Sequence, residues 1–212
     1  MEYTLHNDFG WLGKFAEENA ALPDPAPGEK RVVFMGNSIT EGWSNFHPAF
    51  FTENPYIERG IGGQTTPQML VRFRQDVIDL QPSAVVILAG TNDIAGNTGP
   101  MTLEQTFANL VSMAELAQAH GIKVLLCSVH PVYDYPWKPG LEPASKIVKL
   151  NQMIKDYAAT HGCWYVDYFS AMVDERNGLQ AQLGSDGVHP NKAGYDIMEP
   201  IVQAVLADAL GQ

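Results

Sequence analysis

The sequence predicts an α/β protein in which a parallel sheet of five strands is sandwiched by helices. Three observations carry that prediction. Five apolar runs alternate along the chain with longer amphipathic segments. The middle runs are apolar without interruption, as strands covered on both faces must be. The amphipathic segments begin and end on recognisable helix signals, so strand and helix alternate throughout, which is the pattern of a parallel sheet with crossover helices.

In order, residues 8 to 20 read as a first helix with Trp11, Leu12 and Phe15 on one side. The connector "LPDPAPGEK" is short and Pro-rich, so residues 1 to 30 are expected to form an arm packed on the domain. The first strand is "RVVFM" (31 to 35) and the second "YIERG" (56 to 60). Thr66-Pro67 places a capping residue before a proline at the first helical position, and "PQMLVRFRQDVIDL" follows with apolar spacing near 3.6. The third strand is "AVVILAG" (84 to 90). Thr102 begins "TLEQTFANLVSMAELAQAHG", which closes on Gly121 as a C-terminal glycine. After the fourth strand, "KVLLCSV" (123 to 129), Glu142-Pro143 opens "PASKIVKLNQMIKDYAATHG"; after the fifth, "CWYVDY" (163 to 168), "NKAGYDIMEPIVQAVLADAL" is the last helix.

The chain has 212 residues, which suits a single domain spanning 1 to 212 with a substantial core. Its formal charge is -11, from 24 acidic against 13 basic residues with no Lys/Arg cluster, so nucleic acid and anionic membrane surfaces would meet net repulsion. No apolar run approaches the ~20 residues that span a bilayer, and "MEYTLHNDFG" has neither a basic nor an apolar leader region. The chain is therefore expected to be soluble: cytoplasmic as it stands, or periplasmic or secreted if a leader was removed. Cys127 and Cys163 are expected toward opposite edges of the sheet as two buried thiols. No Cys/His pair has metal-ligand spacing, so no metal is expected.

In a sheet of this kind ligands bind beyond the carboxyl ends of the strands, and Ser38 stands just past the first of them. Gly36 lets the backbone turn tightly, and a helix starting near Ile39 would aim its amides at negative charge beside the serine. A lone serine there is usually a helix cap, so more residues are needed. "SDGVHPNKAGY" supplies Asp186 three residues before His189, a base and a carboxylate delivered by one loop, though Asp-x-x-His is also an ordinary turn. "RGIGGQTT" after the second strand offers a backbone N–H at Gly62-Gly63, and "AGTND" after the third offers the Asn92 amide. Each has a structural reading as a turn or cap; their joint placement after strand ends is what points to an oxyanion hole.

"GNSIT", "GIGGQT", "GTND" and "SDGVHP", in this order, resemble the four sequence blocks of the SGNH (GDSL-type) hydrolases over residues 32 to 190. "GIGGQT" with "GTND" is most similar to the branch of the platelet-activating-factor acetylhydrolase catalytic subunits. The resemblance implies a flavodoxin-like three-layer α/β/α sandwich. It implies Ser38 as nucleophile, His189 as base and Asp186 as its orienter, with the Ser38 N–H, the Gly63 N–H and the Asn92 side chain as oxyanion donors, and no cofactor. One departure is Asn37, where the family has aspartate: the oxygen is kept and the charge lost.

The expected activity is that of a serine esterase cleaving short acyl, foremost acetyl, esters of small molecules or carbohydrates through an acyl-enzyme. The alternatives are a lysophospholipase or thioesterase, an acyltransferase with the same triad, and a non-catalytic binding module. The loop "VHPVYDYPWKPGLEP" (129 to 143) brings Tyr133, Tyr135 and Trp137 to the same sheet edge, either as an aromatic wall beside Ser38 or as cover for the sheet. Trp43 and Phe46 are expected in the core.

Overall fold

The computed structural model describes residues 8–211. Five strands, β1 (Val32–Gly36), β2 (Tyr56–Gly60), β3 (Ala84–Leu88), β4 (Lys123–Cys127) and β5 (Trp164–Val166), form one sheet in the order β2-β1-β3-β4-β5. Every neighbouring pair is parallel, and Gly36 stands level with Gly60 on one side and Leu88 on the other. The chain runs outward from β1 to β2 and then returns across β1 to β3. That reversal opens a crevice at the carboxyl ends of β1 and β3, where α/β sheets bind ligands.

Alternation along the strands splits the core in two. Val33, Met35, Val85, Ile87, Val124 and Leu126 pack with α4 (Thr66–Asp76), α6 (Leu103–Ala119) and α7 (Pro143–Thr160). Val32, Phe34, Val86, Leu88, Leu125 and Cys127 face α2 (Ser38–Phe46) and α9 (Lys192–Leu210). The result is the three-layer sandwich. The remaining helices are short: α1 (Ala16–Ala21), α3 (Pro48–Thr52), α5 (Thr91–Ile94) and α8 (Tyr168–Met172).

Several elements depart from the sequence expectations. The first helix is only α1: Trp11 takes a left-handed φ of 52° and Leu12 is exposed, so the three apolar residues share no helical face; Phe15 alone is buried. Residues 8 to 20 are nevertheless tied to the sheet-side helix, because the Asn19 amide donates to Asp76 at 2.7 Å and to the Gln75 carbonyl at 3.1 Å. The cap of α4 is Thr65 rather than Thr66. Gln68 Oε1 accepts from both the N–H and the hydroxyl of Thr65, while the Thr66 N–H and hydroxyl are taken by Asp93 at 3.0 and 2.5 Å.

Trp43 lies in the core, stacked on Phe50 at 4.8 Å with its N–H on Glu199. Phe46 does not: it is 46% exposed, stacked against Tyr195 from outside. The cysteines are not at opposite edges, since β4 and β5 are neighbours and Cys127 pairs with Val166. Three residues of register, rather than the width of the sheet, separate them; both are free, Cys127 buried and Cys163 half-buried. Among the described residues no helix is long and apolar enough to cross a membrane, and no three acidic, His or Cys side chains are grouped to hold a metal ion.

Candidate active site

The serine is delivered by a tight turn at the end of β1. A Cβ on Gly36 would collide with the Thr40 hydroxyl, so only glycine lets β1 feed directly into α2. Asn37 then caps the helix: its Oδ1 accepts from the Ile39 N–H at 3.0 Å, and the residue is 1% exposed. The cap needs only an oxygen, so the amide serves where a carboxylate would. Ser38 opens the helix, and its own N–H, at the first helical position, has no partner among the described residues.

Ser38 Oγ lies 3.0 Å from His189 Nε2, and His189 Nδ1 lies 2.7 Å from Asp186 Oδ2. A carboxylate only accepts, so Nδ1 carries the proton and Nε2 is left to accept from the serine hydroxyl. Asp186 Oδ1 also accepts the backbone N–H groups of Val188 at 2.9 Å and His189 at 2.8 Å, which folds the turn around the carboxylate. Partial burial works to raise the Asp186 carboxyl, but the hydrogen bonds from His189 and Val188 outweigh it and hold the group below the usual carboxylate range. Asn191 ends this turn by capping α9 on the Gly194 N–H at 3.2 Å.

The second-strand loop stands against the serine: a Cβ on Gly62 would sit 3.8 Å from Ser38 Cβ. Gly63 adopts φ +77°, which favours glycine, and its N–H has no partner among the described residues. The Gly62 N–H donates to Glu41 at 2.9 Å. Asn92 is 4% exposed, and its Nδ2 donates to the Gln64 carbonyl at 3.0 Å, which spends one of its two hydrogens and leaves the other. Ser38, Gly63, Asn92, Asp186 and His189 are thus brought to one place from four loops.

The aromatic loop divides. Trp137 is 48% exposed, with its ring 6.1 Å from that of His189. Tyr135 has no exposed surface; its hydroxyl donates to the Thr91 carbonyl at 2.8 Å and its ring supports Trp137 at 5.2 Å. It cannot line a wall, because the short α5 turn beneath it takes up its polar end. Tyr133 is exposed and turned to the Arg176 guanidinium, 4.7 Å away.

Sequence reasoning missed the residues that hold this site from behind. Arg72, wholly buried, donates to the carbonyls of Gly36 at 3.1 Å and Arg59 at 3.0 Å, to Gln64 Oε1 at 2.6 Å and to Asp76 at 3.0 Å. One guanidinium so joins the ends of β1 and β2 to the loop that follows β2. The sequence carries no local signal for it, since the arginine reads as one more charge of an amphipathic helix. His130, just past β4, was also passed over. It is 1% exposed, and burial, with His189 nearby, pushes its imidazole down to about 3, so it stays neutral.

The sequence pattern of the GDSL-like lipase/acylhydrolase family matches residues 34–197. An uncharacterised lipoprotein of Bacillus subtilis (strain 168) is 41% identical over 203 residues, covering 87% of this chain and 82% of that protein. An acetylxylan esterase of Xylanibacter ruminicola is 25% identical, over 88% of this chain and 45% of that protein. Among solved structures, an acylhydrolase candidate from Bacteroides fragilis NCTC 9343 is 52% identical with a TM-score of 0.93, covering 95% of this chain and 99% of that one.

Proposed function

Because the chain belongs to the GDSL-like lipase/acylhydrolase family and is a hydrolase acting on ester bonds, we propose that it removes short acyl groups, acetyl foremost, from small-molecule or carbohydrate alcohols, with Ser38 as nucleophile. The observation that carries this reading is the unbroken chain from Ser38 Oγ through His189 to Asp186, at 3.0 and 2.7 Å.

In the proposed reaction His189 Nε2 takes the hydroxyl proton as Ser38 Oγ bonds to the ester carbonyl carbon. The oxyanion is received by the Ser38 N–H, the Gly63 N–H and the Asn92 amide. The C–O bond to the alcohol breaks, the alcohol leaves with the proton from His189, and water drawn through the same base hydrolyses the acyl-serine. Asp186 keeps Nδ1 protonated and supports the imidazolium. Residues 1–212 are read as one domain with an arm at 1–30, of which residues 1–7 lie outside the described residues.

The short-acyl preference rests on chain economy: the strands and inner helix faces consume the apolar runs, and the 129 to 143 loop is punctuated by prolines and charges. The acetylxylan esterase relative supports a carbohydrate ester. The test is kcat/KM along nitrophenyl esters from acetate to palmitate, together with acetylated xylo-oligosaccharides. A peak at acetate to butyrate is expected; a peak at decanoate or longer would overturn the short-acyl reading.

A further inference from the structure

Two of the proposed oxyanion donors sit on loops that the sheet does not register against each other. Gly63 follows β2 and Asn92 follows β3, and β1 lies between those strands. A hole assembled from such loops works only if their separation is held, since a misplacement of about 1 Å can cost on the order of 10²-fold in rate.

Behind the hole Thr66 donates to Asp93 and Thr65 meets Thr98 at 3.0 Å, and two further residues bridge the gap at the donors themselves. Gln64 does so from inside: it is 3% exposed, its carbonyl accepts from Asn92 Nδ2 at 3.0 Å, and its side chain is fixed between Arg72 Nε at 2.6 Å and the Gly10 carbonyl at 2.9 Å. Asn97 does so from outside. Its backbone N–H donates to the Asn92 carbonyl at 3.0 Å and its side-chain Nδ2 donates to the Gly63 carbonyl at 3.0 Å. Asn97 is exposed, so no packing requirement explains an amide there. The turn that carries it is itself held by Lys138, whose Nζ donates to the Ala95 carbonyl at 2.8 Å.

We propose that Asn97 is a positioning residue for the oxyanion hole, its side chain clamping the Gly63 loop to the Asn92 loop. The inference rests on the oxyanion roles proposed above. Anchoring Gly63 through its carbonyl leaves its N–H free to donate, and tying the same side chain's backbone to Asn92 makes the two donors one unit. A preformed hole of this kind pays no reorganisation at the moment charge develops.

Asn97→Ala removes the side-chain bond, and Asn97→Asp replaces its donor with an acceptor of the same shape. Both variants are expected to lower kcat on a nitrophenyl acetate by about 10-fold with KM within about two-fold, Asp at least as severely as Ala. The melting temperature should stay within about 2 °C, because the residue is on the surface. In an Asn92→Ala background the Asn97→Ala effect should shrink, since only the Gly63 N–H is left for the clamp to place.

Unchanged kcat in both variants, a rise in KM at constant kcat, full additivity with Asn92→Ala, or a rate loss that tracks a large fall in melting temperature would each overturn the proposal. Fluorophosphonate labelling of the wild type is run alongside. A wild type that does not label at Ser38 overturns the triad reading and this inference with it; a labelled wild type with unaffected variants overturns this inference alone.

Discussion

The loops carrying Gly63 and Asn92 are bound into the sheet, whereas the Asp186 and His189 side chains are shaped mostly by bonds within their own turn, which Val188 pins to the core. On the first side Arg72 and Asp76 are wholly buried and Gln64 and Asn92 nearly so, and their hydrogen bonds reach β1, β2, the residue 8 to 20 segment and one another. On the second side the Asp186 and His189 side chains are 38% and 40% exposed, and three of the four bonds that shape them lie within residues 186 to 189. The difference follows from the work proposed for each. Dipoles that receive developing charge must be rigid before the reaction, so they belong in the fold. A base needs only the right tautomer and reach to the serine, which a four-residue turn supplies.

The comparison predicts that the exposed half can be removed without harm to the fold. His189→Ala and Ser38→Ala should each lower turnover by about 10⁴ to 10⁶, because residues acting as a unit lose most of their effect when one goes. Melting temperatures should move by no more than about 2 °C for His189→Ala. Ester hydrolysis near the wild-type rate in His189→Ala would remove the assigned base. Asp186→Asn should be milder, since His189 keeps its contact with Ser38.

Removal from the buried half should do the opposite. Arg72→Met leaves buried Asp76 without its guanidinium partner and takes a donor from the Gly36 and Arg59 carbonyls and the Gln64 side chain, a loss of about 3–5 kcal/mol of stability. Urea unfolding measures it. A loss below about 1 kcal/mol would show that the guanidinium is not what joins the strand ends. Asn92→Ala sharpens the contrast within that half: turnover should fall roughly 10² to 10³ with KM nearly unchanged, and a pure KM effect would make Asn92 a substrate contact instead.

How far the two halves were legible follows from their construction. The base turn is contiguous, so "SDGVHP" shows both of its groups in six letters. The nucleophile turn is contiguous too, and Gly36, Asn37 and Ser38 announce it. The buried half is assembled from residues at 10, 36, 59, 64, 72 and 92, and no local pattern connects them. Arg72 reads as one more charge on an amphipathic helix until the helix is placed. Strand order is equally non-local: the β segments are visible in the chain, but nothing local to "KVLLCSV" and "CWYVDY" says that they pair, and so Cys127 and Cys163 were expected at opposite edges. The sequence reads Thr66 as the cap of α4, and only Asp93, 27 residues on, takes up that side chain and leaves the cap to Thr65. Tyr135 and Trp137 differ by two positions in one loop, yet one is buried and the other stands beside His189, because the loop turns over between them.

The smallest predicted effect concerns pH, where the two halves should again part. Glu58 lies on β2 with its carboxylate on the Gly60 N–H. Burial, with Glu41 beside it, outweighs the pull of the Gly60 N–H, Arg59 and Arg72 and leaves its carboxyl raised to about 7. In the unfolded chain the same group titrates at its ordinary value near 4.5. Between those two values the folded protein binds the proton and the unfolded chain has released it, so stability falls as pH rises from about 4.5 and levels off above about 7. Asp186 has the reverse sign: its carboxyl is held low, so its contribution is complete above its unfolded value and is lost as pH falls through the lower folded one. From pH 5 to 8 the Glu58 contribution is read as the difference between wild type and variant, because His130, whose imidazole is pushed down to about 3, moves stability the opposite way as pH rises toward its ordinary value of 6.5, while the base turn governs rate. Glu58→Gln is neutral in both states and keeps an oxygen for Gly60. It should match the wild type at pH 5 and exceed it at pH 8 by about 1–2 kcal/mol in urea unfolding, with the pH profile of kcat/KM unmoved. Parallel stability curves would show that Glu58 is ionised in the fold, and a displaced rate profile would tie this half-buried carboxyl to the chemistry and dissolve the division between the halves.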